Sequence, residues 1–135
     1  MLTYRNEAAF SKALVTAMRN KGMFVQRIES GETGKGIPDL FVITKGIPMW
    51  IELKRVHSTC SNKQYVEIPW RPGQQAWLFD VHIRGVATTT LACFNDGILR
   101  IPHKTLWIHD RVPVELCDYY KDIRSLLAWM STQLN

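Results

Sequence analysis

Two apolar runs separated by Lys45-Gly46 constrain this chain more than any other feature. Leu40-Phe41-Val42-Ile43 precedes the dipeptide, and Met49-Trp50-Ile51-Glu52-Leu53 follows it. A glycine-containing pair between such runs predicts a β-hairpin. If Lys45-Gly46 is the whole loop, Thr44 pairs with Ile47, and counting outward sets Asp39 opposite Glu52. A longer symmetric loop keeps that pairing; a bulge breaks it. Both faces of the runs are largely apolar, which predicts central strands covered on two sides.

The charged residues at the far end of this hairpin then need a reason. Directly opposed residues have Cβ atoms roughly 4.5–5.5 Å apart. Side chains alternate along a strand, so Lys54 shares the face of Glu52. The predicted cluster is two carboxylates and an ammonium. The carboxylates repel, and covering them strips away water at further cost. A hard divalent cation resolves the conflict, since Mg²⁺ favours one or two carboxylates plus waters and phosphate oxygens. Such an ion polarises a scissile phosphate, orients the attacking water and stabilises the leaving oxygen. Lys54 would stand beside the developing negative charge. Either half alone is commonplace: Pro-Asp begins many strands, and Glu-x-Lys decorates solvated ones. The register joins them.

Around this hairpin the pattern reads α-β-β-β-α-β-β-α. A first helix spans roughly Asn6 to Asn20, with Phe10, Leu14, Ala17 and Met18 at helical spacing and Lys21-Gly22 as its stop. Met23 to Ile28 reads as a short strand. The stretch 30–36 holds glycines 31, 34 and 36, but no Gly-Lys-Ser/Thr follows, so no P-loop or nucleotide cofactor is indicated. His57 to Tyr65 is polar and reads as a mobile loop. Pro72-Gly73 opens a second helix through Gln74, Trp77, Leu78 and Val81, ending near Gly85. Val86 to Phe94 and Ile98 to Ile101 read as strands joined at Asn95-Asp96-Gly97. Glu115 to Leu134 reads as a helix with Leu116, Tyr119, Tyr120, Ile123, Leu126, Leu127 and Met130 as its stripe. The expected architecture is α/β, a mixed central sheet with helices packed on it and an extra C-terminal helix.

The 135 residues fit one domain. No apolar run approaches the roughly 20 residues of a membrane span, and no secretory signal is visible. Three scattered cysteines (Cys60, Cys93, Cys117) argue for a reducing, intracellular setting, and the cytoplasm is expected. The histidines show no HExxH spacing, which disfavours zinc hydrolase chemistry. A net charge of +5 suits a polyanionic partner such as nucleic acid.

Gly36-Ile37-Pro38-Asp39-Leu40, an apolar strand, and Trp50-Ile51-Glu52-Leu53-Lys54 together resemble the core motif of PD-(D/E)XK nucleases. Gln74-Gln75-Ala76-Trp77, in a helix ending at Gly85, looks like the following helix of the VRR-NUC branch. These are small phage and bacterial nucleases similar to archaeal Holliday-junction resolvases. The resemblance covers roughly residues 6–94 and implies a restriction-endonuclease-like fold. It implies Mg²⁺ or Mn²⁺ held by Asp39, Glu52 and the Leu53 carbonyl, with Lys54 assisting. It also implies that Glu7 joins the metal site, supporting a second ion or a metal-bound water, and that Gln74 contacts the active-site phosphate or orients water. Glu7 falls on the apolar face of the first helix; apart from the resemblance, an acid there simply complements the helix dipole. Gln75 competes with Gln74, and Trp77 three residues after Gln74 favours the latter. A phage-encoded protein acting in the host cytoplasm is the setting the family implies.

Lys35, Arg55 and Arg71 flank the proposed centre and are candidates for DNA phosphates, each against the alternative of plain surface charge. Trp70 beside Arg71 reads first as a buried tryptophan and second as a residue stacking on an unpaired base. The expected activity is a metal-dependent endonuclease acting on branched DNA, with junction resolution foremost and a homodimer implied. Its alternatives are a flap, fork or end-processing nuclease and a non-catalytic DNA-binding module. The apolar C-terminal helix is a candidate dimer interface.

Overall fold

The computed structural model describes residues 4–28, 36–102 and 110–133. Lys35 and glycines 31 and 34 lie outside them. The first helix, α1 (Glu7–Asn20), starts where Asn6 Oδ1 accepts the Ala9 N–H at 2.8 Å. It buries Phe10, Leu14, Val15 and Met18 and ends before Gly22.

The strands that follow are β1 (Phe24–Arg27), β2 (Leu40–Thr44) and β3 (Ile47–Arg55). Lys45 and Gly46 both have positive φ, 51° and 78°, the conformation a two-residue type I′ turn requires. The ladder runs from Thr44 opposite Ile47 to Leu40 opposite Ile51, the register the sequence predicts. Alternation from the turn puts Pro48, opposite Ile43, at a position without ladder hydrogen bonds, so its missing N–H breaks nothing.

Next come β4 (Tyr65–Glu67), α2 (Gln74–Ile83), β5 (Ala87–Phe94) and β6 (Gly97–Ile101). Then follow β7 (Arg111–Pro113), β8 (Asp118–Tyr120) and α3 (Ile123–Gln133). The main sheet has six strands in the order β1-β2-β3-β5-β6-β8. Only β3 and β5 run parallel, with β4 and α2 forming the crossover between them. One face carries α1 and α3 over a core that includes Phe10, Leu14, Ile51, Leu53, Leu126 and Leu127. The other carries a second cluster of Ile68, Ala92, Phe94, Leu99, Ile101 and Val112 beneath the small β4–β7 sheet. No described helix is long and apolar enough to cross a membrane.

Two expectations are corrected. The helix expected over 115–134 begins only at Ile123, where Asp122 Oδ1 accepts the Ser125 N–H at 2.8 Å. Its expected first half is instead β8, paired to β6, with the Tyr119 hydroxyl donating to the Asp96 carbonyl at 2.6 Å. The stripe of α3 also faces inward: Ile123, Leu126, Leu127 and Met130 belong to the α1 core and are not an open dimer surface. The polar stretch after His57 forms no helix or strand as far as Gln64, as expected of a loop, and Tyr65 opens β4, which pairs with β7 far along the chain.

Candidate metal centre

One step beyond the Leu40–Ile51 pair, the register carries Asp39 across from Glu52. Both sit on the face of the hairpin opposite Leu40, Ile51 and Leu53, away from the α1 core. Asp39 Oδ2 accepts the Leu53 N–H at 2.8 Å, which fixes its carboxylate against β3. Glu52 is 0% exposed and Lys54 4%, so this is an interior cluster. Lys54 Nζ lies 3.4 Å from Glu52 Oε2.

The second helix completes the wall. Gln74, also buried, donates from Nε2 to Glu52 Oε2 at 2.9 Å. Its Oε1 accepts the Arg71 N–H at 2.7 Å, so the amide is held with its donor toward the acid. Three residues on, Trp77 packs edge-on to Trp50 with ring centroids 5.0 Å apart, and Trp50 in turn meets Phe41 at 4.8 Å. Residues i and i+3 of a helix share a face, as do residues i and i+2 of a strand. The Gln-x-x-Trp spacing of α2 therefore matches the Trp50-x-Glu52 spacing of β3. Gln75 instead turns to a groove on the outer side of α2.

Glu52 Oε1 is buried with no hydrogen-bond partner among the described residues. Such an atom is costly unless something arrives to meet it. Burial, reinforced by Asp39, pushes the Glu52 carboxyl up to about 8, against a pull the other way from Lys54. The backbone supplies a further oxygen. Continued two residues past the Leu40–Ile51 pair, the same register would set Leu53 opposite Pro38, and proline has no N–H to donate to the Leu53 carbonyl. A buried unpartnered carboxylate oxygen, a second carboxylate across the strand and a carbonyl without a ladder donor form an oxygen set of the kind a hard cation takes.

Glu7 stands nearby, half-buried at the start of α1. Desolvation and then the field of Asp39 raise its carboxyl, while Lys54 and Arg71 pull it down. Among the described residues no three acidic, histidine or cysteine side chains gather as one metal-holding group. Glu7 is thus in the field of the pair without closing on it.

The flanking cations diverge. Arg71 is exposed at the entry to α2. Arg55 is committed elsewhere: Nε donates to the Tyr4 carbonyl at 2.7 Å and Nη2 to Asn95 Oδ1 at 2.7 Å. Its Nη1 reaches the Val56 and Cys93 carbonyls at 2.6 and 3.2 Å. Adjacent to Lys54 on a strand, Arg55 must point to the opposite face, a signal already present in period-2 alternation.

Sequence reasoning missed the Arg71 N–H that orients Gln74. It also missed the contact between Gly36 and Gly73, where an added Cβ at Gly36 would overlap the Gly73 carbonyl. That contact seats the approach to Asp39 against the start of α2.

No family model and no curated protein matches this chain. Among solved structures it is similar to Hjc of Archaeoglobus fulgidus, a Holliday junction resolvase from an archaeal hyperthermophile. The two share 13% identity, with a TM-score of 0.56 over 89% of this chain and 92% of that one. The chain therefore has an Hjc-like fold: a central mixed sheet flanked by helices, with a C-terminal helix.

Proposed function

We propose that this protein is a divalent-metal-dependent endodeoxyribonuclease of the PD-(D/E)XK type, acting on branched DNA and foremost on four-way junctions. The observation that carries the chemistry is the unpartnered, buried Glu52 Oε1 beside Asp39, with Lys54 3.4 Å from the same carboxylate. Nothing in a purely structural role accounts for a buried carboxylate and lysine beside a second, half-buried carboxylate on a central hairpin. The junction substrate rests on fold similarity to a resolvase, and the VRR-NUC branch on the Gln74-x-x-Trp77 spacing.

In this reading Asp39, Glu52 and the Leu53 carbonyl hold Mg²⁺ or Mn²⁺, and Glu7 supports from α1. The ion supplies Lewis-acid stabilisation of the phosphate and lowers the cost of ionising water. Gln74 holds Glu52 Oε2, which leaves Oε1 for the cation. Lys54 places a positive charge beside the phosphate oxygens as charge builds in the transition state. Water adds to phosphorus, and the bridging sugar oxygen leaves with a proton. Two cuts on one junction require two such centres, which a symmetric dimer supplies. Arg71 is the described flanking cation with its side chain open to a phosphate.

The test incubates the protein with Mg²⁺ or Mn²⁺ and four-way, flap, fork, single-stranded and linear duplex DNA. Junction cleavage is expected, and Asp39→Ala or Glu52→Ala should lower it by a factor of about 10² or more. Cleavage that survives both substitutions removes the site. Activity confined to linear ends removes the junction, and binding without cutting under either metal leaves a non-catalytic module.

A further inference from the structure

Beside the candidate centre, on the outer side of α2, lies a groove lined by Trp70, Arg71, Pro72, Gln75, Ala76 and Phe79. We infer that this groove receives one unpaired nucleobase of the strand whose phosphate lies at Asp39 and Glu52. The inference rests on the nuclease reading above and names the substrate feature that reading leaves open.

The groove and the centre are two sides of one short segment. Gln74 turns inward to Glu52 while Gln75 turns outward to the groove. The Arg71 N–H holds Gln74, and its side chain lines the groove. A nucleotide joins its phosphate to its base through one sugar, so adjacent subsites sharing a wall suit its two ends. The lining matches a base in kind. Trp70 packs on the second core cluster, which makes it a rigid platform. Phe79 is 41% exposed and offers a second ring. Gln75 adds a polar side chain to the lining.

Charge favours DNA over an apolar partner. Arg71, exposed at the rim, would otherwise be covered without a described carboxylate in hydrogen-bond contact. A base inside a duplex is stacked on both faces and cannot enter. The groove would therefore favour a discontinuity where a base is already free.

The test compares the wild-type chain with Phe79→Ala, a change at the periphery that spares the core. Affinities are measured in Ca²⁺ for branched DNA and for the same DNA with an abasic sugar placed in turn at each position around the branch. One abasic position should weaken wild-type binding about 5- to 100-fold, the range of a lost base–aromatic stack. Phe79→Ala should weaken binding to intact DNA comparably and have little further effect on that abasic DNA. If no abasic position matters, or if the two losses simply multiply, the groove does not hold a base. A shift of Phe79→Ala from dimer to monomer in sedimentation would assign the groove to a second copy and overturn the inference. Wild-type protein that cuts junctions but shows no abasic effect loses only the groove; protein that neither binds nor cuts loses the nuclease reading as well.

Discussion

At the scale of residues, Glu52 carries the sharpest consequence. Its carboxyl is raised from an ordinary 4.5 to about 8 by burial and by Asp39. Below about 4.5 the acid is protonated in both folded and unfolded chains. Between 4.5 and 8 the unfolded chain ionises and the folded one resists, so stability falls as pH rises through that window. Glu52→Gln should therefore stabilise the metal-free protein at pH 8.5, on the order of 2 kcal/mol, and change little at pH 4.5. Mg²⁺ should raise the wild-type melting temperature at pH 8.5 and leave the variant nearly unmoved. Thermal melts at the two pH values, with and without Mg²⁺, check both; a variant that binds Mg²⁺ as the wild type does would remove Glu52 as the ligand.

The Asp39–Glu52 approach was legible because a two-residue turn fixes register by counting, and period-2 alternation then fixes the face. The same alternation sends Arg55 away from Lys54, to the face where main-chain carbonyls and Asn95 hold its guanidinium. The partner of Gln74 was not legible, because the Arg71 N–H that orients it depends on the conformation of residues 71–74.

Among elements, the seating of α2 on β3 decides whether Gln74 reaches Glu52. Trp77 on Trp50 sets the height of the helix, and Gly36 against Gly73 sets its start. Gly36 has φ +81°, a conformation side chains rarely adopt, and a Cβ there would strike the Gly73 backbone. Gly36→Ala should cost about 1–3 kcal/mol by this strain and displace the start of α2. Junction cleavage should then drop further than stability alone explains. Denaturant melts beside cleavage rates at a temperature where the variant is fully folded would show it; unchanged rates there would mean the contact does not position Gln74.

The strand β8 shows why elements were harder to read than the site. Leu116, Tyr119, Tyr120 and Ile123 do fall at helical spacing, and the stripe continues through Met130. The break is marked only by Asp122, whose side chain caps α3, and by two tyrosines that suit a strand. Pairing with β6 decided between the readings, and that is a tertiary contact. The three-residue strands β4 and β7 were beyond reach for the same reason, since each exists only through a distant partner.

For the whole molecule, one sheet separates two cores, and the candidate metal centre, Asp39 and Glu52, sits on the face away from the α1 and α3 core. This arrangement makes α3 a structural lid over the main core. Leu126 is 0% exposed and packs in the same cluster as Phe10, Leu14 and Ile51. Truncating a leucine in such a site loses its transfer free energy and leaves a cavity. Leu126→Ala should therefore destabilise the protein by about 2–4 kcal/mol. The change lies across the sheet from Glu52, so the fraction that remains folded should keep its cleavage rate and its oligomeric state. An exposed interface helix makes the opposite forecast: little loss of stability and a shift toward monomer. Urea melts paired with sedimentation separate the two, and a fully stable, monomeric Leu126→Ala protein would return α3 to the role of a docking surface.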